Sequence, residues 1–404
     1  MPNPLVAFTA GIVRVLLLSF LGKFMDYGQE SLKKHKATHG KVAIVSKFGP
    51  IMNREDLSVA YTPGVAAVSS YLGEHPEEVQ NYTIKGNTVA VISDGSAVLG
   101  LGNIGPYGAL PVMEGKCILF KQFADIDAYP IVLKTQDTEE IIQAIVAISP
   151  TFGGINLEDI AAPKCFEIEK RLRDVLDIPI FHDDQHATAV VVLAALINAL
   201  KIKKISKENV RIVVNGAGAA GLATTRLLIE YGIKNIIVCD SKGILHKGRA
   251  DVNSEKQSIL AQTNIENLEG DLPTALNGAD IFIGLSAANV LKPEWIKFMN
   301  TEPVIFAMAN PVPEIMPDIA KAAGAYIVGT GRSDFPNQIN NVLVFPGMFR
   351  GLLDKRITKV TDKIKLRAAE ALASCVPDNL LSPENIIPSV LDKAVAMKVS
   401  ASVG

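Results

Sequence analysis

From residue 210 onward the sequence repeats one pattern: a short apolar run, a turn, then a helical stretch. Residues 210–214, apolar but for Arg211, are suited to a strand, and Gly216, Gly218 and Gly221 follow as G-x-G-x-x-G. Residues 219–231 then read as a helix closed by Gly232, and residues 236–239 as a second strand ending at Asp240. Strand, tight turn, helix, strand and acid in that order admit few folds. Further apolar runs at 281–284, 304–307 and 326–328 open into Gly, Ser or Asn loops, as parallel strands do. The expected fold is α/β: a doubly wound parallel Rossmann sheet preceded by a smaller α/β domain.

A helix that begins at such a turn offers free N–H groups and the positive end of its dipole to a pyrophosphate. Gly216, Ala217, Gly218, Ala219, Ala220 and Gly221 are therefore the candidate dinucleotide loop. Asp240 stands where an acid accepts hydrogen bonds from ribose hydroxyls. It would repel a 2′-phosphate, and no arginine directly follows it, so NAD is expected over NADP; Lys242 is the nearby counterweight. A second G-x-G-x-x-G, at Gly100, Gly102 and Gly105, also follows an apolar run, at 88–92. Pro106, Gly108 and Pro111 come next, so no long helix is expected there, and this match reads as a decoy. Its glycines would instead let backbone approach backbone. Residues 117–123 read as a strand, and Lys116, just ahead of it, as a lysine whose pKa burial lowers enough for it to act as a base.

The chemistry-bearing residues cluster between 156 and 188. Glu158 and Asp159 lie in FGGINLEDIAAP; His182, Asp183, Asp184 and His186 lie in IFHDDQHAT, after the apolar run 178–181. Carboxylates from two segments suit Mg²⁺ or Mn²⁺, which prefer hard oxygen donors. The two histidines imitate the zinc motif H-E-x-x-H, but an Asp fills the second position and the first histidine follows a strand. The histidines are expected to be polar supports.

Elsewhere, residues 26–40, 65–72, 138–149 and 188–200 read as helices, as do 359–374 and 385–399. Residues 158–176 read as helical with a break at Pro163, and residues 41–45 and 131–133 as strands. At 404 residues two domains are expected, with their boundary near 185–205. The division drawn is 1–24, an apolar extension not native to the protein; 25–185, a substrate and metal domain; and 186–404, the dinucleotide domain with C-terminal helices. A membrane anchor is the other reading of the first segment, which carries Arg14 and ends before Met25. Lys and Arg total 40 against 42 Asp and Glu, which gives no reason to expect a nucleic-acid partner. The four cysteines form no CxxC pair and suit reduced thiols in a cytoplasmic protein.

The ordered segments AYTPGVA, SDGSAVLGLGNIGPYGALPVMEGK, NLEDI, FHDDQHAT, NGAGAAG, ANPVPEI and NQINNVLVFPG resemble malic enzymes of the shorter bacterial type. The resemblance spans residues 27–390. It implies NAD-dependent, metal-dependent oxidative decarboxylation of malate, with oxaloacetate decarboxylation on the same scaffold as the alternative. It implies that Tyr61 is the final proton donor, Lys116 the base, and Asp183 the acid that sets its protonation. Glu158, Asp159 and Asp184 become the Mg²⁺ or Mn²⁺ ligands. Asn310 and Asn341 lie near the substrate carboxylate and the nicotinamide, and Ser286 joins Asn310 on the cofactor side. A homodimer or larger homo-oligomer is implied. Two positions depart from relatives: Ala97, where larger eukaryotic members have an arginine, and Ala187, where glycine is usual. A methyl at 187 would crowd the metal loop if that residue needed a positive φ.

Overall fold

The computed structural model describes residues 27–404, so the apolar extension lies outside the described residues. The chain divides into a unit that ends at Ala43 and a unit Ile44–Gly404. In the first, α1 (Tyr27–Thr38) stops two residues before Gly40, which has φ 106°. No strand forms at 41–45.

The larger unit begins with two short helices, α2 (Arg54–Ala60) and α3 (Gly64–Glu74), interrupted at Tyr61–Pro63. A four-stranded parallel sheet follows: β1 (Thr88–Ser93), β2 (Asp127–Val132), β3 (Gly154–Leu157) and β4 (Ile180–His182), in the order β2-β1-β3-β4. Its connections are α4 (Gly105–Ala124), α5 (Thr138–Ile148) and α6 (Lys164–Val175). A second sheet, in the order β10-β9-β8-β5-β6-β7, holds β5 (Arg211–Asn215), β6 (Asn235–Asp240), β7 (Gly243–Ile244), β8 (Ile281–Gly284), β9 (Val304–Ala307) and β10 (Ile327–Thr330). All its pairings are parallel except β6 with β7. The chain leaves β5 for β6 on one side and returns to β8 on the other. The β5–β8 gap is therefore the switch point where such sheets bind ligands.

Between the two sheets in chain order comes α7 (Asp183–Lys203), which takes up residues 185–203 of the expected boundary. Apolar residues occupy its whole circumference, which only an environment buried on all sides accommodates. It is long and apolar enough to cross a membrane, but most of that stretch is buried inside the protein. It packs on α8 (Ala219–Tyr231) and on α10 (Asp362–Ala373), within a core that also takes in α9 (Phe345–Asp354) and α11 (Lys393–Ser402).

Several expectations need correction. Residues 105–124 form one long helix, α4, despite Pro111 inside it. Pro106 falls in the first turn, where no N–H is missed. Ala109, Met113, Cys117 and Phe120 recur at helical spacing and are all buried. Packing of that face outweighs the proline, and the strand read at 117–123 does not exist. Both glycine fingerprints thus stand between a strand and a helix. What separates them is the turn: residues 94–104 intervene after β1, only Gly216–Gly218 after β5. Helix α6 starts at Lys164, so Glu158 and Asp159 follow strand β3 instead of lying in a helix. The last helix begins at Lys393, not 385.

Candidate active site

The carboxylates meet because β3 and β4 are adjacent, parallel and in register. Leu157 pairs with His182, so the next residues, Glu158 and Asp183, leave the same edge of the sheet side by side. Asp184 lies in the first turn of α7, beside them. Its Oδ2 accepts from the backbone N–H of Asp159 at 2.9 Å, and Asp159 holds φ 54°. Leu99 N–H donates to Asp159 Oδ1 at 3.3 Å, while Asp159 Oδ2 is buried with no partner. Glu158, Asp159 and Asp184 each offer an oxygen, all within 4.8 Å of one another; this is the metal-competent group among the described residues. Three hard donors and an orphaned buried carboxylate oxygen fit Mg²⁺ or Mn²⁺.

Lys116 lies inside α4 and reaches this cluster from the side. Its Nζ donates to Asp183 Oδ2 and sits 3.1 Å from Glu158 Oε1, over the ring of Phe345. Burial pulls the ammonium's pKa down, but Asp183, Glu158 and Asp184 outweigh it and the net shift is upward. The expected lowering by burial is thus reversed: three carboxylates within reach of one cation decide the sign. The same crowding acts on the acids. Glu158 is held well above the usual carboxylate range by burial, against the pull of Lys116. Burial, with Asp184 adding to it, pushes Asp159 up to about 7.

Asn341 Nδ2 donates to Asp183 Oδ2 at 2.9 Å, and Thr188 Oγ1 donates to Asn341 Oδ1 at 3.1 Å. Asn341 is therefore brought into the cluster. Tyr61 is not: it caps α2, is 67% exposed, and makes no hydrogen bond to these residues. His186 turns to Glu169 at 2.6 Å, and Gln185 donates to the same carboxylate at 3.2 Å. His182 is fully buried, its Nδ1 3.8 Å from Asp184 Oδ2. Of the two histidines only His182 thus lies beside the acidic cluster, whereas His186 is engaged by Glu169. Ala187 is helical and buried, without a positive φ, so its methyl strains nothing.

On the second sheet, Gly216 has φ 124°, and a Cβ there would fall 2.2 Å from the Leu285 carbonyl; one on Gly221 would fall 1.6 Å from the Gly216 carbonyl. Only glycine permits this tight turn and the close β5–β8 approach. Helix α8 has no side-chain cap, which leaves its first N–H groups available to an anion. Asn215 Nδ2 donates to Ser286 Oγ at 2.9 Å across the switch point. Asp240 ends β6, bound by Arg249 and Lys256.

Two supporting acids were not anticipated. Glu314, fully buried, accepts from the N–H groups of Ser286 and Ala309, both at 2.9 Å. It ties the loops after β8 and β9, which carry Ser286 and Asn310. Burial raises its pKa, with those N–H groups opposing. Asp94, also fully buried, pairs with Lys164. A carboxylate directly after a cis Asn310–Pro311-Val-Pro segment gave no spacing signal.

Two family descriptions match: "Malic enzyme, N-terminal domain" over residues 40–173 and "Malic enzyme, NAD binding domain" over 185–404. A bifunctional malic/malolactic enzyme of Bacillus subtilis is 51% identical, over 94% of this chain and 92% of its own length. An NAD-dependent malic enzyme of Geobacillus stearothermophilus is 54% identical, over 90% of this chain and 76% of its own. The crystal structure of an NAD-dependent malic enzyme from Thermotoga maritima superposes with a TM-score of 0.88 at 54% identity, covering 92% of this chain and 98% of that one. With the two descriptions together covering nearly all of the residues after 40, the chain belongs to the malic enzyme family.

Proposed function

We propose that this chain catalyses the NAD-dependent oxidative decarboxylation of (S)-malate to pyruvate and CO₂, with Mg²⁺ or Mn²⁺ on Glu158, Asp159 and Asp184. One observation carries the reading: three metal-competent carboxylates and a buried lysine converge at the carboxyl ends of β3 and β4. A divalent cation held by these residues would supply Lewis acidity to the bound substrate.

Lys116 is held protonated by the carboxylates that a cation neutralises. With those carboxylates neutralised, the ammonium would lose a proton to solvent, and the free amine would then accept the C2 hydroxyl proton as hydride passes from C2 to NAD⁺. Asp183 holds the lysine in place, and Asn341 fixes the Asp183 carboxylate in turn. Gly216 to Gly221 and the start of α8 take the pyrophosphate, with Ser286 and Asn310 on the loops that flank the switch point. Tyr61 is assigned the proton returned to C3. It sits in a segment whose apolar side chains, Ile44, Val45, Phe48, Met52 and Val59 among them, face solvent. That surface supports a homodimer or larger homo-oligomer, which light scattering would measure directly. The substrate and metal half is placed at 25–185 and the dinucleotide half at 186–404, in a cytoplasmic enzyme whose four cysteines are free thiols.

The test is Mn²⁺ binding, by calorimetry, to the wild type and to Asp184→Asn. The substitution should weaken binding by roughly tenfold or more, as expected for a lost carboxylate ligand. Equal affinity would remove the metal assignment.

A further inference from the structure

The metal-competent carboxylates come from two segments: Glu158 and Asp159 follow β3, and Asp184 lies in the first turn of α7. The β3–β4 pairing ends at Leu157 and His182, so it stops short of both segments' ligands. Helix α7 also lacks a side-chain cap: its N-cap residue, His182, makes no capping hydrogen bond. A capping side chain is what ordinarily holds the first turn of a helix. A cation such as Mg²⁺ demands near-ideal octahedral geometry, with oxygens at about 2.0–2.1 Å. The α7 turn therefore has to be fixed by something else.

Glu169 supplies that fixation. It lies on α6, the helix that follows Glu158 and Asp159 in the chain, and is buried. Its Oε2 accepts from Gln185 Nε2 at 3.2 Å, and its Oε1 is 2.6 Å from His186 Nε2. Gln185 and His186 are the two residues after Asp184. On the other side of the ring, Lys365 Nζ of α10 lies 3.4 Å from His186 Nδ1. An ammonium has donors and no acceptor, so Nδ1 is the accepting nitrogen and Nε2–H donates to Glu169. Lys365 is itself held by Asp362, at 2.6 Å. One buried carboxylate thus ties the helix after the first two ligands to the turn that carries the third. Fold stability alone does not ask for it, since packed apolar residues in place of a buried ionic cluster are often as stable or more so. What the carboxylate adds over an apolar side chain is direction: hydrogen bonds of set geometry to two consecutive residues.

We propose that Glu169 is a positioning residue for the metal site: by holding Gln185 and His186 it sets where Asp184 presents its carboxylate. The inference rests on Glu158, Asp159 and Asp184 being the metal ligands.

Mn²⁺ affinity by calorimetry and NADH affinity by fluorescence, measured side by side in the wild type, Glu169→Ala and Glu169→Gln, test it. Glu169→Ala should weaken Mn²⁺ binding by roughly ten- to a hundredfold, the usual effect of removing a residue that orients a ligand, with NADH affinity unchanged. Glu169→Gln keeps the volume and one acceptor, and should recover part of the loss. Should the alanine variant not fold, the glutamine variant carries the test, since it too should bind Mn²⁺ more weakly than the wild type. Wild-type Mn²⁺ affinity in the alanine variant, or in the glutamine variant where it stands alone, overturns the proposal. A proportional loss of Mn²⁺ and NADH affinity overturns it as well, because a general anchor of the fold would give that result. Asp184→Asn separates the two readings. If that variant binds Mn²⁺ as the wild type does, the metal assignment fails; if it binds weakly while Glu169→Ala does not, only the role of Glu169 fails.

Discussion

The backbone carbonyl of Asn310 lies where a side chain on Gly100 would begin: a Cβ built on Gly100 is 1.9 Å from that oxygen. The glycine-rich loop after β1 thus touches the loop after β9, which carries the Asn310 side chain. In the first glycine fingerprint this approach of backbone to backbone accounts for Gly100, while Gly102 and Gly105 have φ of 79° and 72°.

Gly100→Ala should therefore displace the Asn310 loop. Overpacking of this kind costs about 1–3 kcal/mol, and malate turnover should fall because a site residue moves. Thermal melting and kcat/KM measured together check this; an unchanged melting point with unchanged turnover would show that the contact is dispensable.

Lys116→Ala should reduce malate oxidation by roughly 10²-fold or more, the usual contribution of a positioned general base, while NADH binding stays near the wild-type level. Fluorescence titration beside a steady-state assay separates the two. Substantial turnover in this variant would assign the base elsewhere. The substitution also strands Asp183 and Glu158 without their cation, so some loss of stability is expected.

Metal binding should release protons in a pH-dependent way. Without metal, Asp159 is pushed up to about 7 by burial and then by Asp184. Its value in the unfolded chain is near ~3.9. Between those two values the unfolded chain has lost the proton and the folded chain keeps it, so this group's contribution to stability falls as pH rises through that window. Mn²⁺ needs the ionised carboxylate. Proton release per Mn²⁺ bound should be larger at about pH 6 than at about pH 8, and calorimetry in buffers of different ionisation enthalpy counts it. Equal release at both would contradict the assignment of Asp159.

Glu314→Ala should leave the N–H groups of Ser286 and Ala309 buried without acceptors. Each such group costs about 1–3 kcal/mol. NADH affinity should drop, because both loops at the switch point lose their common anchor, and Glu314→Gln should recover part of it. Wild-type NADH affinity in the alanine variant would deny Glu314 this role.

The second sheet was legible because its strands are short apolar runs that end in glycine or polar loops; 281–284 and 304–307 coincide with β8 and β9. The first sheet was harder to read. Pro111 hides α4, whose helical face shows only in the spacing of Ala109, Met113, Cys117 and Phe120. Helix α9 opens with Phe345-Pro346-Gly347, which imitates a turn, and was missed. Glu158, Asp159 and Asp184 were legible because each closely follows an apolar run. The direction of the Lys116 shift was not, since it depends on Asp183 and Asp184 arriving at the start of α7, 67 residues on in the case of Asp183.

Coupled chemistry at one site is tested most directly by following NADH and CO₂ together from (S)-malate with Mn²⁺. Equal amounts of both, with pyruvate as the product and both lost on chelation, are the predicted result. CO₂ released from oxaloacetate with no NADH formed from malate would contradict it, and would leave a decarboxylase on a malic enzyme scaffold.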